Sequence, residues 1–97
     1  MTNFQKKLAE HRSAIDRLDA ILVYTLGERF EQTKNIGKLK AEAKIGASDH
    51  KRELAQIKRL KKLCVDAKLK PEFAEKLLKL ILSEVKKNHE RIKSSRY

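Results

Sequence analysis

The chain has 97 residues, 40% of them hydrophobic and 38% charged, with five aromatic side chains and no Trp. A chain this short is expected to form a single domain, residues 1–97, with a thin core of its own and a heavily solvated exterior. A net charge of +11, from 24 Lys and Arg against 13 Asp and Glu, suits a polyanion, a membrane surface or a small anionic ligand.

Residues 4–44 read as one long helix, weakened but not ended by Gly27 and Gly37. Its apolar positions Phe4, Leu8, Ile15, Leu18, Leu22, Ile36 and Leu39 recur at three- and four-residue steps. The run Ile45-Gly46-Ala47-Ser48 breaks it, with Ser48 placed to cap a second helix and Asp49 in the next first turn. That helix, residues 49–67, presents Leu54, Ile57, Leu60, Leu63 and Cys64. Pro71 then stands at the first position of a third helix, residues 71–92, which shows Leu77, Leu78, Ile81, Val85 and Ile92. Residues 94–97 read as a frayed tail. The fold class is therefore all-α, with three helices.

A helix of about 40 residues is ~60 Å long, and two shorter helices cannot cover it. The uncovered part of the seam calls for a partner, and a two-fold homodimer is the commonest solution.

The longest uncharged stretch of the N-terminal half, residues 20–27, falls far short of the ~20 residues that span a bilayer. Lys6 and Lys7 are followed by Glu10, Arg12 and Asp16, which leaves no signal-peptide apolar region. A single cysteine, Cys64, excludes an internal disulfide and suits a reducing cytoplasm, so a cytoplasmic location is expected. The basic residues are spread along the chain, and the cluster Lys58-Arg59-Leu60-Lys61-Lys62 reads as a solvated helix face. Neither a membrane nor a nucleic-acid partner is expected.

Arg29 is the residue that does not fit. Steps of seven along the seam run Leu8, Ile15, Leu22, Arg29, Ile36, placing a guanidinium where burial costs several kcal/mol (roughly) for an unpaired ion. The plain reading is that Arg29 snorkels to water or pairs with a carboxylate. Lys40 lies on the same face about 16 Å further on, and Arg12 about 25 Å back and ~100° around. One straight helix cannot offer Arg12 and Arg29 to the same small ligand, whereas an antiparallel dimer can set Arg12 of one subunit beside Arg29 of the other. Asp49, Arg52 and Glu53 open the second helix, where caps and i,i+4 pairs are ordinary. His89 continues the apolar face of Leu78, Ile81 and Val85, and a packed histidine is the plain reading there. His11, His50 and His89 lie on separate segments, so no metal site is expected. No catalytic triad, Cys–His pair or glycine-rich phosphate loop supports nucleophilic catalysis or nucleotide binding.

Arg12, Ile15-Asp16-Arg17-Leu18-Asp19, Arg29, Gly37-Lys38-Leu39-Lys40 and Asp49-His50-Lys51-Arg52-Glu53 form an ordered series whose spacings match a known family pattern without a gap. The series resembles the all-helical AroQ-type chorismate mutases over residues 8–92. The resemblance implies an intertwined homodimer whose long first helices cross between subunits, each site taking one arginine, here Arg12, from the neighbour. It implies the Claisen rearrangement of chorismate to prephenate, on the way to phenylalanine and tyrosine, with no cofactor. It further implies that Arg29 and the neighbour's Arg12 clamp carboxylates and that Lys40 serves a carboxylate and the ether oxygen. Glu53 would accept the ring hydroxyl, with Asp49 and Arg52 ordering that side.

The chain departs from the family pattern in its last helix. Where many members carry a serine and, four residues later, a glutamine that donates to the ether oxygen, this chain has Val85 and His89. Valine cannot make the serine's contact. An imidazole N–H can donate as an amide does, so His89 is expected to replace the glutamine. Alternatives are an isochorismate-pyruvate lyase or an aminodeoxychorismate mutase on the same scaffold, a noncatalytic regulatory paralogue, and a basic helical dimer that binds nucleic acid with strong salt dependence. At this length no fused dehydratase or dehydrogenase domain is expected.

Overall fold

The computed structural model describes residues 2–46 and 50–95, excepting the side chains of residues 91–95. These residues form three helices and no strand: α1 (Asn3–Glu42), α2 (His50–Asp66) and α3 (Pro71–Ser95). None of the described helices is long and apolar enough to cross a membrane. The chain divides into two compact units, Met1–Thr33 and Lys34–Tyr97.

Both ends of α1, the end of α2 and the start of α3 have local causes. At the start of α1 the Thr2 hydroxyl accepts from the Gln5 N–H (3.1 Å), and the Gln5 side chain accepts from the Thr2 N–H (3.0 Å). This reciprocal pair satisfies two donors that a helix N-terminus leaves orphaned. The helix begins one residue earlier than its apolar pattern does.

α1 stops at Glu42 rather than at residue 44, because Lys44 turns into the left-handed region (φ 56°). There the Ile45 N–H donates to the Lys40 carbonyl (2.9 Å) and the Lys44 N–H to the Ala41 carbonyl (3.2 Å). That bond pair closes a helix end on a left-handed residue, usually glycine. α2 ends the same way one residue short of expectation: Lys68 has φ 63°, Leu69 donates to the Cys64 carbonyl (2.7 Å) and Lys68 to that of Val65 (3.1 Å). Both turns carry a lysine where a Cβ is strained.

Pro71 opens α3 at the position where a missing N–H costs nothing. α3 continues past Ile92 to Ser95, since no glycine or proline interrupts residues 92–95. Ser94 and Ser95 are thus helical rather than part of a frayed tail. The proposed Ser48 cap lies outside the described residues.

In the second unit α2 packs on α3, with Cys64, Ala74, Leu78 and Ile81 buried. The spacing 74, 78, 81 is one helical stripe, and Ala74 removes side-chain bulk between the two backbones. Cys64 is a free thiol within this core. Ile57 and Leu60 are half-buried, whereas Leu54 and Leu63 are exposed. Leu63 is displaced by about 100° around the helix from Cys64, which takes it off the stripe. A Lys61–Glu75 ion pair (2.6 Å) ties α2 to α3. The hydrogen bond and charge of Lys61, helped by Lys79, hold the Glu75 carboxyl below its usual range against a slight opposing effect of burial.

The first unit is the greater part of α1 alone. Its apolar side chains Phe4, Ile15, Leu18, Leu22 and Val23 are exposed, and Leu8 is half-buried. Its polar groups bond within the helix: the Thr25 hydroxyl donates to the Ile21 carbonyl (2.7 Å) and the Gln32 amide to the Glu28 carboxylate (2.9 Å).

Candidate active site

Arg29 sits near the end of the first unit, half-buried, on the seam defined by Ile15 and Leu22. Its Nη1 is shut off from solvent and has no hydrogen-bond partner among the described residues. A guanidinium donor so placed forgoes water without recovering a bond, which is costly for a charged group unless an acceptor arrives. That nitrogen is cut off from water and meets no carboxylate among the described residues. Arg12, in the same unit, is exposed on α1.

The remaining candidates belong to the second unit. Lys40 is half-buried in the last turn of α1, and its carbonyl accepts the capping bond from Ile45. Glu53 is half-buried in the first turns of α2, 3.8 Å from the Nδ1 of exposed His50. Arg52 lies beside it, exposed and engaged in an interaction of its own. Asp49 lies outside the described residues.

On α3, Val85 and His89 are both half-buried and one turn apart, so they share a face. Among the described residues no group of three His, Cys, Asp or Glu side chains gathers to hold a metal ion.

The structure adds a juxtaposition that spacing did not reveal. The imidazole of His89 lies directly over Gly37 of α1. A Cβ at position 37 would collide with Cε1 and would stand 3.2 Å from Nδ1 and 3.3 Å from Nε2. Gly37 is three residues before Lys40, so the ring rests on the stretch of α1 that also bears that lysine. A signal for this was present: a glycine inside a helix, with no turn to make, costs about 1 kcal/mol relative to alanine and needs another reason.

No curated protein matches the chain significantly. A family model described as chorismate mutase type II matches residues 11–90. That span takes in every candidate named above, from Arg12 to His89, and the all-helical architecture agrees with it. The chain belongs to the chorismate mutase type II family, the all-helical AroQ class.

Proposed function

We propose that the protein is a chorismate mutase, converting chorismate to prephenate by an intramolecular Claisen rearrangement. The observation that supports this most directly is Arg29, whose Nη1 is withdrawn from water and left without an acceptor among the described residues of a chain of this family. A dianionic substrate supplies the acceptor.

The reaction breaks a C–O bond and forms a C–C bond in one pericyclic step, so it requires no nucleophile, cofactor or metal. What a protein can contribute is restraint of the flexible substrate in its reactive shape, and donors aimed at the ether oxygen as negative charge develops there. In this reading Arg29 and Arg12 of the partner subunit bind the two carboxylates through their planar forks. Lys40 bonds a carboxylate and the ether oxygen, and His89 donates to the ether oxygen from a ring N–H. Glu53 accepts the ring hydroxyl, with Arg52 and Asp49 ordering that end, and Val85 supplies an apolar wall.

The site is completed by a homodimer. The exposed seam of α1 is the surface that a second copy covers, and exposed Arg12 is available to reach across it.

The decisive experiment incubates the purified protein with chorismate and follows its loss together with prephenate formation. Conversion is the expected result, and none at high enzyme concentration overturns the proposal. Release of pyruvate from isochorismate with chorismate left untouched assigns the lyase reaction instead. Loss of one donor at a developing oxyanion costs about 10²–10³ in kcat. His89→Ala is therefore expected to fall by that amount, and His89→Gln to retain substantial turnover. An alanine variant as active as the parent removes His89 from the mechanism.

A further inference from the structure

We propose that Gly37 is a positioning residue for His89, its missing Cβ forming the berth that holds the imidazole against α1. The inference rests on the reading of His89 as the donor to the ether oxygen, and it adds what fixes that donor.

Three observations converge on it. First, Gly37 is not required by backbone conformation, because no glycine in the chain has a positive φ and residue 37 is ordinary helix. Second, the three heavy atoms nearest to a Cβ there are Cε1, Nδ1 and Nε2 of the His89 ring. Third, the other two glycines differ: a Cβ at Gly27 or Gly46 meets nothing within 4 Å. Only Gly37 is spatially matched to a side chain, and that side chain replaces the family's glutamine.

The contact also fixes the ring's direction. The atoms facing Gly37 are the N–C–N edge of the imidazole, so its polar edge is turned onto α1, three residues before Lys40. A glutamine would bring a flexible three-torsion stem and a terminal amide. Histidine has two torsions and a rigid plane, so its donor is directed only if its ring has a defined resting place. The obstacle to a larger residue at 37 is the far end of a side chain rather than backbone. Gly37→Ala can thus be accommodated by rotating His89 away, leaving the helices in place. Alanine's higher helix propensity acts in the same direction, toward a well-folded variant.

The test compares Gly37→Ala in the parent and in the His89→Ala background, by kinetics and by NMR of the histidine ring C–H signals. In the parent, the His89 Hε1 proton should show a cross-relaxation contact to the Gly37 Hα protons. In Gly37→Ala the His89 ring signals should move while those of His11 and His50 stay, and circular dichroism should be unchanged. Displacing a reacting group by about 1 Å can cost on the order of 100-fold, so kcat is expected to fall tenfold to 100-fold (roughly), with KM moving much less. Because the two residues act as one unit, the same substitution should cost less than about threefold in the His89→Ala background.

Equal losses in both backgrounds, or His89 ring signals that do not move in Gly37→Ala, overturn the proposal. If the parent does not turn over chorismate, the functional reading fails by itself. The ring signals and the Gly37 contact then decide the positioning role alone.

Discussion

If a second copy covers the α1 seam as proposed, Leu22→Asp should convert that dimer to a monomer. Leu22 lies on the α1 seam and retains 55% of its exposure in the single chain. Burying a leucine completely contributes ~1.5–3 kcal/mol, so covering the remaining half contributes about 1 kcal/mol per copy, or about 2 kcal/mol across a two-fold interface. The aspartate forfeits this and places a carboxylate in each half of the interface at several kcal/mol (roughly) apiece when unpaired. A combined penalty of at least ~6 kcal/mol weakens association about ten-thousandfold. Sedimentation velocity across a micromolar concentration series checks this, since the parent should sediment as a dimer and the variant as a monomer. Tyr24 supplies the control. It is 82% exposed and lies about 200° around the helix from Leu22, so Tyr24→Asp should leave the dimer intact. A parent that is monomeric throughout, or a Leu22→Asp variant that associates like the parent, refutes the assignment of this seam as the dimer surface. If Arg12 crosses between subunits, chorismate turnover should vanish together with the dimer.

Leu78 is 1% exposed, so Leu78→Ala should lower stability by about 2–5 kcal/mol, measured by urea denaturation at fixed protein concentration. Lys68→Gly relieves a left-handed Cβ at the end of α2, and should raise the denaturation midpoint by an amount worth about 0.5–1 kcal/mol, offset in part by the looser unfolded chain. Lys61→Met should return the Glu75 carboxyl toward its usual range in an NMR titration, since Lys61 is the main cause of its depression. A carboxylate held low in the folded state stabilises at pH above its unfolded value, and that contribution is lost as pH falls through the folded one. Acid unfolding of Lys61→Met should accordingly show less loss of stability across the carboxylate range than the parent does.

Much of the architecture was legible because helix signals are local. Apolar residues at three- and four-residue steps mark a helix whatever it packs against, and Pro71 marks the start of α3 by its missing N–H. The ends of α1 and α2 were missed by two residues and one. Lysine seldom takes the left-handed conformation seen at Lys44 and Lys68, and nothing in a lysine advertises it. The α2 core was half legible: Cys64 is buried but Leu54 and Leu63 are not, because periodicity names a stripe and the position of α3 selects which part is covered. In the candidate site, Arg29 was conspicuous as a charge in an apolar series, whereas Gly37 read only as a weak point in a helix.

By itself the sequence determined that three helices form, that one is too long for the others to cover, and that an ordered set of charged residues marks the family. All of these depend on spacing along the chain, which survives whatever the tertiary arrangement. Only the tertiary structure decided that the imidazole of His89 rests on Gly37, fifty-two positions away, and that one nitrogen of Arg29 is shut off from water with no partner among the described residues. Contacts between residues so far apart depend on where the α2–α3 turn returns the chain. Whether a buried donor is satisfied depends on every atom around it.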